Sequence, residues 1–190
     1  IILLIGLLMN IISKTMTIDL SSYLMFLLIF CIPTIIFSLG LSFMLMSLLR
    51  NQAITFLLLL GIAAMNMFWL NFRFGYLFDY MAFGLPVFKS EMIGFDNQSL
   101  ILNQRLSWFF LGMFLILATV LLFRRLPQSK VHTTVSAVLM IIFLASTAVC
   151  VRNTWSIYKT DLNEKKAVID TNRKFEESLF VTLSRASIDF

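Results

Sequence analysis

Few side chains in this sequence are equipped for chemistry, and their spacing narrows the field further. A single histidine, His132, rules out the His-x-x-x-His pair that a zinc-protease helix needs. The chain contains no Gly-x-x-x-x-Gly-Lys-Ser/Thr loop, so it does not cradle ATP phosphates in the Walker manner. Ser38, Ser42 and Ser47 lie in one apolar run with no histidine or lysine in that run to activate them as nucleophiles. Cys31 and Cys150 sit singly inside apolar runs and read as small hydrophobes, not as a disulfide or a metal site. His132, beside Lys130, reads as a solvated loop residue. No catalytic residue, metal ligand or cofactor site is expected. The polar side chain that stands out is Asn66, the only strongly polar group within the four complete apolar runs. An intramembrane amide faces the interior of a bundle more often than lipid, so Asn66 is a candidate for a translocation pathway or for a hydrogen bond between helices.

Composition supplies the frame around these residues. Of 190 residues 59% are hydrophobic and 13% are charged, and the mean hydropathy is +0.91. Soluble domains carry roughly 25% charged residues, and a chain this short has too little interior to hide its apolar excess from water. Lipid is the solvent such a chain fits. The net charge of +5 is spread along the chain and forms no continuous basic stripe, which excludes nucleic acid as a partner.

A spanning helix needs about 20 predominantly apolar residues. Residues 23–49, 53–70, 106–123 and 135–151 qualify without one charged side chain, and residues 1–12 read as the end of a truncated span. The chain opens inside that apolar run, as a piece of a longer protein does. Backbone groups in lipid must be paired internally, so these runs are helices. The expected fold is an all-α polytopic transmembrane bundle of four complete spans and one truncated span. An external re-entrant or interfacial segment and a short extramembrane tail complete it.

Within residues 23–49, Pro33 removes one backbone donor and predicts a kink. Gly40, with Ser38 and Ser42, predicts a small-residue face that another helix can approach closely. Pro33 and Gly40 are therefore hinge candidates. Residues 71–105 are aromatic-rich, with turns expected at Gly84–Pro86 and near Gly94, and read as a structured interfacial cap. Residues 152–177 are mixed in charge and read as a helical stalk, and the alternation from Val181 to Phe190 reads as the first strand of a downstream domain.

Short-loop charge sets orientation. Arg50, Arg124, Arg125 and Lys130 are the topology determinants: their loops hold four basic residues and no acidic one, which assigns residues 50–52 and 124–134 to the cytoplasm and the tail to the other side.

The strings Arg50-Asn51-Gln52, Phe123-Arg124-Arg125-Leu126-Pro127-Gln128-Ser129-Lys130, Phe78-Asp79-Tyr80-Met81-Ala82-Phe83-Gly84-Leu85-Pro86 and Gln104-Arg105-Leu106 together resemble the second half of bacterial ABC-2-type transporter permeases. More narrowly, the chain resembles the long variety followed by a zinc-aminopeptidase-like domain, over roughly residues 23–190. The resemblance implies a bacterial inner-membrane permease that works with a separate ATP-binding cassette subunit and another permease half. It also implies that residues 71–105 form the external re-entrant stretch between the fifth and sixth helices. The family's main coupling region and the peptidase-like domain's zinc and base residues have no counterpart in this chain. A multi-helix anchor for a peptidase-like domain is the competing function. An intramembrane enzyme fails for want of an acid or base in the complete spans.

Overall fold

The computed structural model describes residues 24–85, 89–90, 94–95, 98–123 and 130–186. The truncated span at residues 1–12, Arg124, Arg125 and Pro86 lie outside the described residues, as do residues 187–190. The architecture is an all-α bundle, with one ladder of two two-residue strands in the connection across one end.

Among the described residues, four helices are long and apolar enough to cross a membrane: Leu24–Leu49, Gln52–Phe78, Gln98–Leu122 and Val131–Glu177. Their large apolar side chains are mostly exposed, Phe56, Leu57, Phe68 and Ile141 among them. In a bundle with so little interior, that surface is what lipid covers.

The first span is α-helical at residues 24–26, widens into a π-helical turn, Leu27–Cys31, and continues as α1, Ile32–Leu49. Pro33 sits at the start of α1 and has no N–H to donate. The wider turn just before it, closed by the Ile32 N–H on the Leu27 carbonyl, takes up the change in register while the helix runs on. Arg50 then adopts a left-handed conformation (φ 51°), and its N–H bonds the Met46 carbonyl to end the helix. Asn51 caps the next helix, α2 (Gln52–Met65), with Oδ1 accepting from the Ala53 and Ile54 N–H groups at 3.0 and 3.4 Å. Two residues thus reverse the chain between spans.

After α2 comes a second π turn, Asn66–Leu70, then α2 is extended by α3 (Asn71–Phe74) and a 3₁₀ turn, Gly75–Phe78. Gly75 adopts φ 57° and ψ −134°, a conformation that a side chain would strain, and it marks where α-helical winding stops. The span expected over 53–70 therefore runs eight residues further, and the non-helical part of the cap is shorter than 71–105. Residues Asp79–Leu85 form a turn that folds back on the helix ends, and β1 (Lys89–Ser90) pairs antiparallel with β2 (Gly94–Phe95).

The next helix, α4 (Gln98–Leu122), begins eight residues before the expected 106, which places Gln104 and Arg105 on a helix and not in the connection. The last, α5 (Lys130–Ala186), is one helix of 57 residues, about 85 Å at 1.5 Å per residue. A hydrocarbon core is about 30 Å thick, so α5 runs well beyond it. The expected stalk at 152–177 is its continuation. The strand expected from Val181 is corrected: residues 181–186 are the end of α5. A short alternation of apolar residues does not stop a helix that already supplies each residue's hydrogen-bond partner.

α1 and α4 pack closely, backbone against backbone at two glycines. They run in the same direction, as the pairs Thr34–Arg105, Phe37–Trp108 and Gly40–Gly112 show. A Cβ on Gly40 would lie 2.6 Å from the Gly112 carbonyl oxygen, and one on Gly112 would lie 2.7 Å from Phe37 Cα. The close approach expected at Gly40 is present, with Gly112 as the partner. Ser42 is turned to its own helix, its hydroxyl donating to the Ser38 carbonyl at 2.7 Å. α5 packs along α4, with Phe110 and Phe143 stacked at 6.0 Å.

Candidate functional site

Where the second span loses its winding, main-chain carbonyls lose their intrahelical donors. In apolar surroundings each orphaned carbonyl is costly. Side chains from three spans meet the carbonyls of Phe78, Asp79 and Tyr80, and also that of Tyr76, which keeps the Asp79 N–H as a second donor at 3.4 Å.

Asn66, on the π turn, donates Nδ2–H to the Phe78 carbonyl at 2.7 Å. Gln104, on α4, donates Nε2–H to the carbonyls of Tyr76 at 3.0 Å and Asp79 at 2.7 Å. Its own Oε1 accepts from Arg105 Nε at 2.7 Å. The Arg105 guanidinium then donates to the Asp79 carbonyl at 2.6 Å, the Tyr80 carbonyl at 3.1 Å and Thr34 Oγ1 at 3.4 Å. The Thr34 hydroxyl reaches the Tyr80 carbonyl at 3.0 Å and its own helix's Phe30 carbonyl at 2.9 Å. Arg105, Gln104 and Asp79 are each 1% exposed, and Asn66 is 2% exposed.

The turn secures itself from the other side. Asp79 accepts from the Met81 N–H at 3.1 Å through Oδ1 and from the Gly84 N–H at 2.5 Å through Oδ2. The Asn71 amide lies against Gly84, where a Cβ would require that side chain to swing away. Asp79 also brings a negative charge into the node that holds the Arg105 cation, which lowers the cost of burying either. The guanidinium carbon, Cζ, sits 5.8 Å from the Phe30 ring centroid, a distance at which ring and cation attract.

Aromatic rings seal the node from the bundle below. Phe37 lies 5.2 Å from Tyr80 and 4.7 Å from Trp108, and Tyr80 lies 6.1 Å from Trp108. Burial, then the neighbouring Asp79 carboxylate, push the Tyr80 phenol above its ordinary value. Above the node, Tyr76, Leu85, Leu100 and Ile101 form a small apolar core against which Ile157 and Tyr158 of α5 pack.

Among the described residues, two buried polar atoms have no hydrogen-bond partner: Asn66 Oδ1 and Trp108 Nε1. Both belong to residues that border this node.

Of the residues singled out from sequence, the structure brings Asn66 into the node. Pro33 adjoins it through Thr34, and Gly40 lies further along α1 at the contact with Gly112. Arg50 forms the turn at the opposite end of the bundle, and Lys130 starts α5. Thr34, Asp79, Gln104 and Arg105 carry the node, yet their types alone assign them no role. A Gln-Arg pair beside an apolar run reads equally well as an interfacial flank, and only the fold shows it turned inward. Cys31 and Cys150 are free thiols. Among the described residues no group of three or more His, Cys, Asp or Glu is arranged to hold a metal ion.

The fold and node together define a polytopic helical membrane protein whose spans are tied at one end by a buried polar node. No family model, curated protein or solved structure matches the chain.

Proposed function

We propose that this chain is part of the permease of an ABC-type transporter, lining the translocation pathway with another permease half and powered by a separate ATP-binding subunit. The observation that carries this reading is the node. A turn across the end of the bundle, held by side chains of three spans and carrying a buried Arg105, is a costly construction that anchoring does not require. A cap of this kind fits a machine that must keep one mouth closed until its helices repack. The sequence resemblance to ABC-2-type permeases supports the same reading. In this reading the Arg50 turn faces the cytoplasm and the node faces outward at the inner membrane of a bacterium.

The test is to purify the full-length parent in mild detergent and seek an ATP-binding subunit that co-purifies and hydrolyses ATP faster in its presence. A parent that recruits no such subunit, from a genome that encodes none beside it, defeats the reading.

The projecting α5 favours a second function, a multi-helix anchor that holds a downstream domain away from the bilayer. Replacing residues 1–134 with an unrelated bundle separates the two. Full cellular function after the exchange selects the anchor, and its loss selects the permease.

A further inference from the structure

Tyr76 takes part in two structures at once. Its main-chain carbonyl accepts from Gln104 inside the buried node, at 3.0 Å. Its phenol donates to Asp161 Oδ2 on the stalk, at 2.6 Å. The Tyr158 ring, one helical turn before Asp161, meets the Tyr76 ring edge-on at 5.6 Å. A hydrogen bond to a carboxylate is among the stronger ones available.

The stalk around this contact is suited to carrying a displacement. Residues 130–186 contain no glycine and no proline, the usual sites at which a helix bends. α5 is fastened along one side by Thr154, Ile157, Tyr158 and Asp161, which are buried or half-buried. Every described side chain from Leu162 to Glu177 is exposed. Asp161 is therefore the last half-buried side chain of α5 before this exposed stretch. From there to Ala186 the helix extends about 37 Å, at 1.5 Å per residue.

We propose that Tyr76 is the positioning residue through which α5 and the carbonyl turn at 76–80 move as one body, so that tilting the stalk shifts the turn capped by Gln104 and Arg105. Coupling of this kind needs a continuous set of contacts, and here the path has three links. Asp161 holds the Tyr76 phenol, the Tyr76 carbonyl holds Gln104, and Gln104 Oε1 holds Arg105. A partner bound to the exposed stalk then acts on the cap without touching it. The coupling belongs to this chain in a bilayer and does not depend on the transport reading.

The test uses the 190-residue chain in lipid nanodiscs, with amide hydrogen exchange followed at single residues. Met81 and Gly84 are the reporters, because their N–H groups bond Asp79 inside the turn and lie on no part of the stalk. Asp161→Ala is expected to speed exchange at both amides about tenfold, the order expected for losing one hydrogen bond to a charged acceptor. Tyr76→Phe is expected to do the same, and the double variant to exceed neither single one by more than about twofold, because both remove the same bond. Glu164→Ala, one turn further along, is the control and leaves both amides unchanged. Faster exchange confined to residues 152–161 in Asp161→Ala, with Met81 and Gly84 untouched, overturns the proposal. Additive effects in the double variant also overturn it. Spin labels on Asn172 and Gln52 give a second readout: Tyr76→Phe broadens their distance distribution if the proposal holds, and an unchanged distribution refutes it.

Discussion

Gly112 meets Phe37 backbone to backbone: a Cβ on Gly112 would stand 2.7 Å from both the Cα and the nitrogen of Phe37. That distance lets α1 and α4 run close together without side chains between them, and it fixes how far Thr34 lies from Arg105. Small residues serve helices in lipid this way because close packing, not the exclusion of water, holds them together.

Enlarging Gly112 forces the two helices apart. Gly112→Leu is expected to lower the melting temperature in detergent strongly, and Gly112→Ala to do so less. Overpacking typically costs about 1–3 kcal/mol, occasionally more. Gly61, beside which a Cβ meets nothing within 4 Å, supplies the contrast. Gly61→Ala is expected to hold or raise stability. Equal effects at the two positions in a thermal unfolding series contradict the packing described.

Arg105 is worth more to the turn than its charge alone. Arg105→Ala leaves the Tyr80 carbonyl to Thr34 and the Asp79 carboxylate buried without its counter-charge. Breaking a buried charged network in this way costs about 3–5 kcal/mol. Arg105→Lys keeps the charge but has no planar fork to span Gln104, Thr34 and two carbonyls, so it is expected to recover only part of the loss. Guanidinium at millimolar concentration should raise the melting temperature of Arg105→Ala and leave that of the native chain unchanged.

Asn66 separates structure from transport. Replacing it with Leu removes the bond to Phe78 and also the buried Oδ1 that has no partner. The two effects oppose each other, so the net change in stability is expected to stay within about 1 kcal/mol. If the residue lines a pathway, transport by the reconstituted parent falls at least tenfold while melting changes little. Unaltered transport assigns Asn66 to the cap alone.

Ala82 lies in the turn at φ 66°, a conformation that side chains disfavour. Ala82→Gly is expected to relieve local strain of about 1–2 kcal/mol, in part offset by the greater freedom of the unfolded chain. A modest rise in melting temperature checks this. A fall of several degrees places the turn in a different conformation.

Tyr80 predicts how the cap responds to alkali. Its phenol titrates above the ordinary value of 10.0 because the folded state disfavours the phenolate. The folded chain then holds this proton more tightly than the unfolded chain does. The contribution is fully present below about pH 10 and is lost as the pH rises above it. Phenolate absorbance should show a late-titrating component that shrinks by one tyrosine in Tyr80→Phe, and the native chain should lose stability more steeply than the variant above pH 10.

Sequence by itself determined the solvent and the elements. Uncharged runs at 23–49, 53–70, 106–123 and 135–151 can only pair their backbones as helices in lipid, and all four are helical. It also marked the ends of one turn, because a left-handed Arg50 and a capping Asn51 act on their nearest neighbours. Asn66 was visible as a polar side chain among apolar ones, but its partner, the Phe78 carbonyl twelve residues on, was not.

Tertiary structure alone decided the node. Arg105 beside an apolar run can snorkel to water or turn inward. The choice rests on the Asp79 and Tyr80 carbonyls left free where the second span unwinds, which no local pattern around residue 105 records. Gly112 gained its meaning from Phe37, and Tyr76 from Asp161, 85 residues away. Periodicity reports which face of a helix avoids polarity, and in lipid almost every face does. Which surfaces meet is therefore left to shape and to the few polar groups that must find one another.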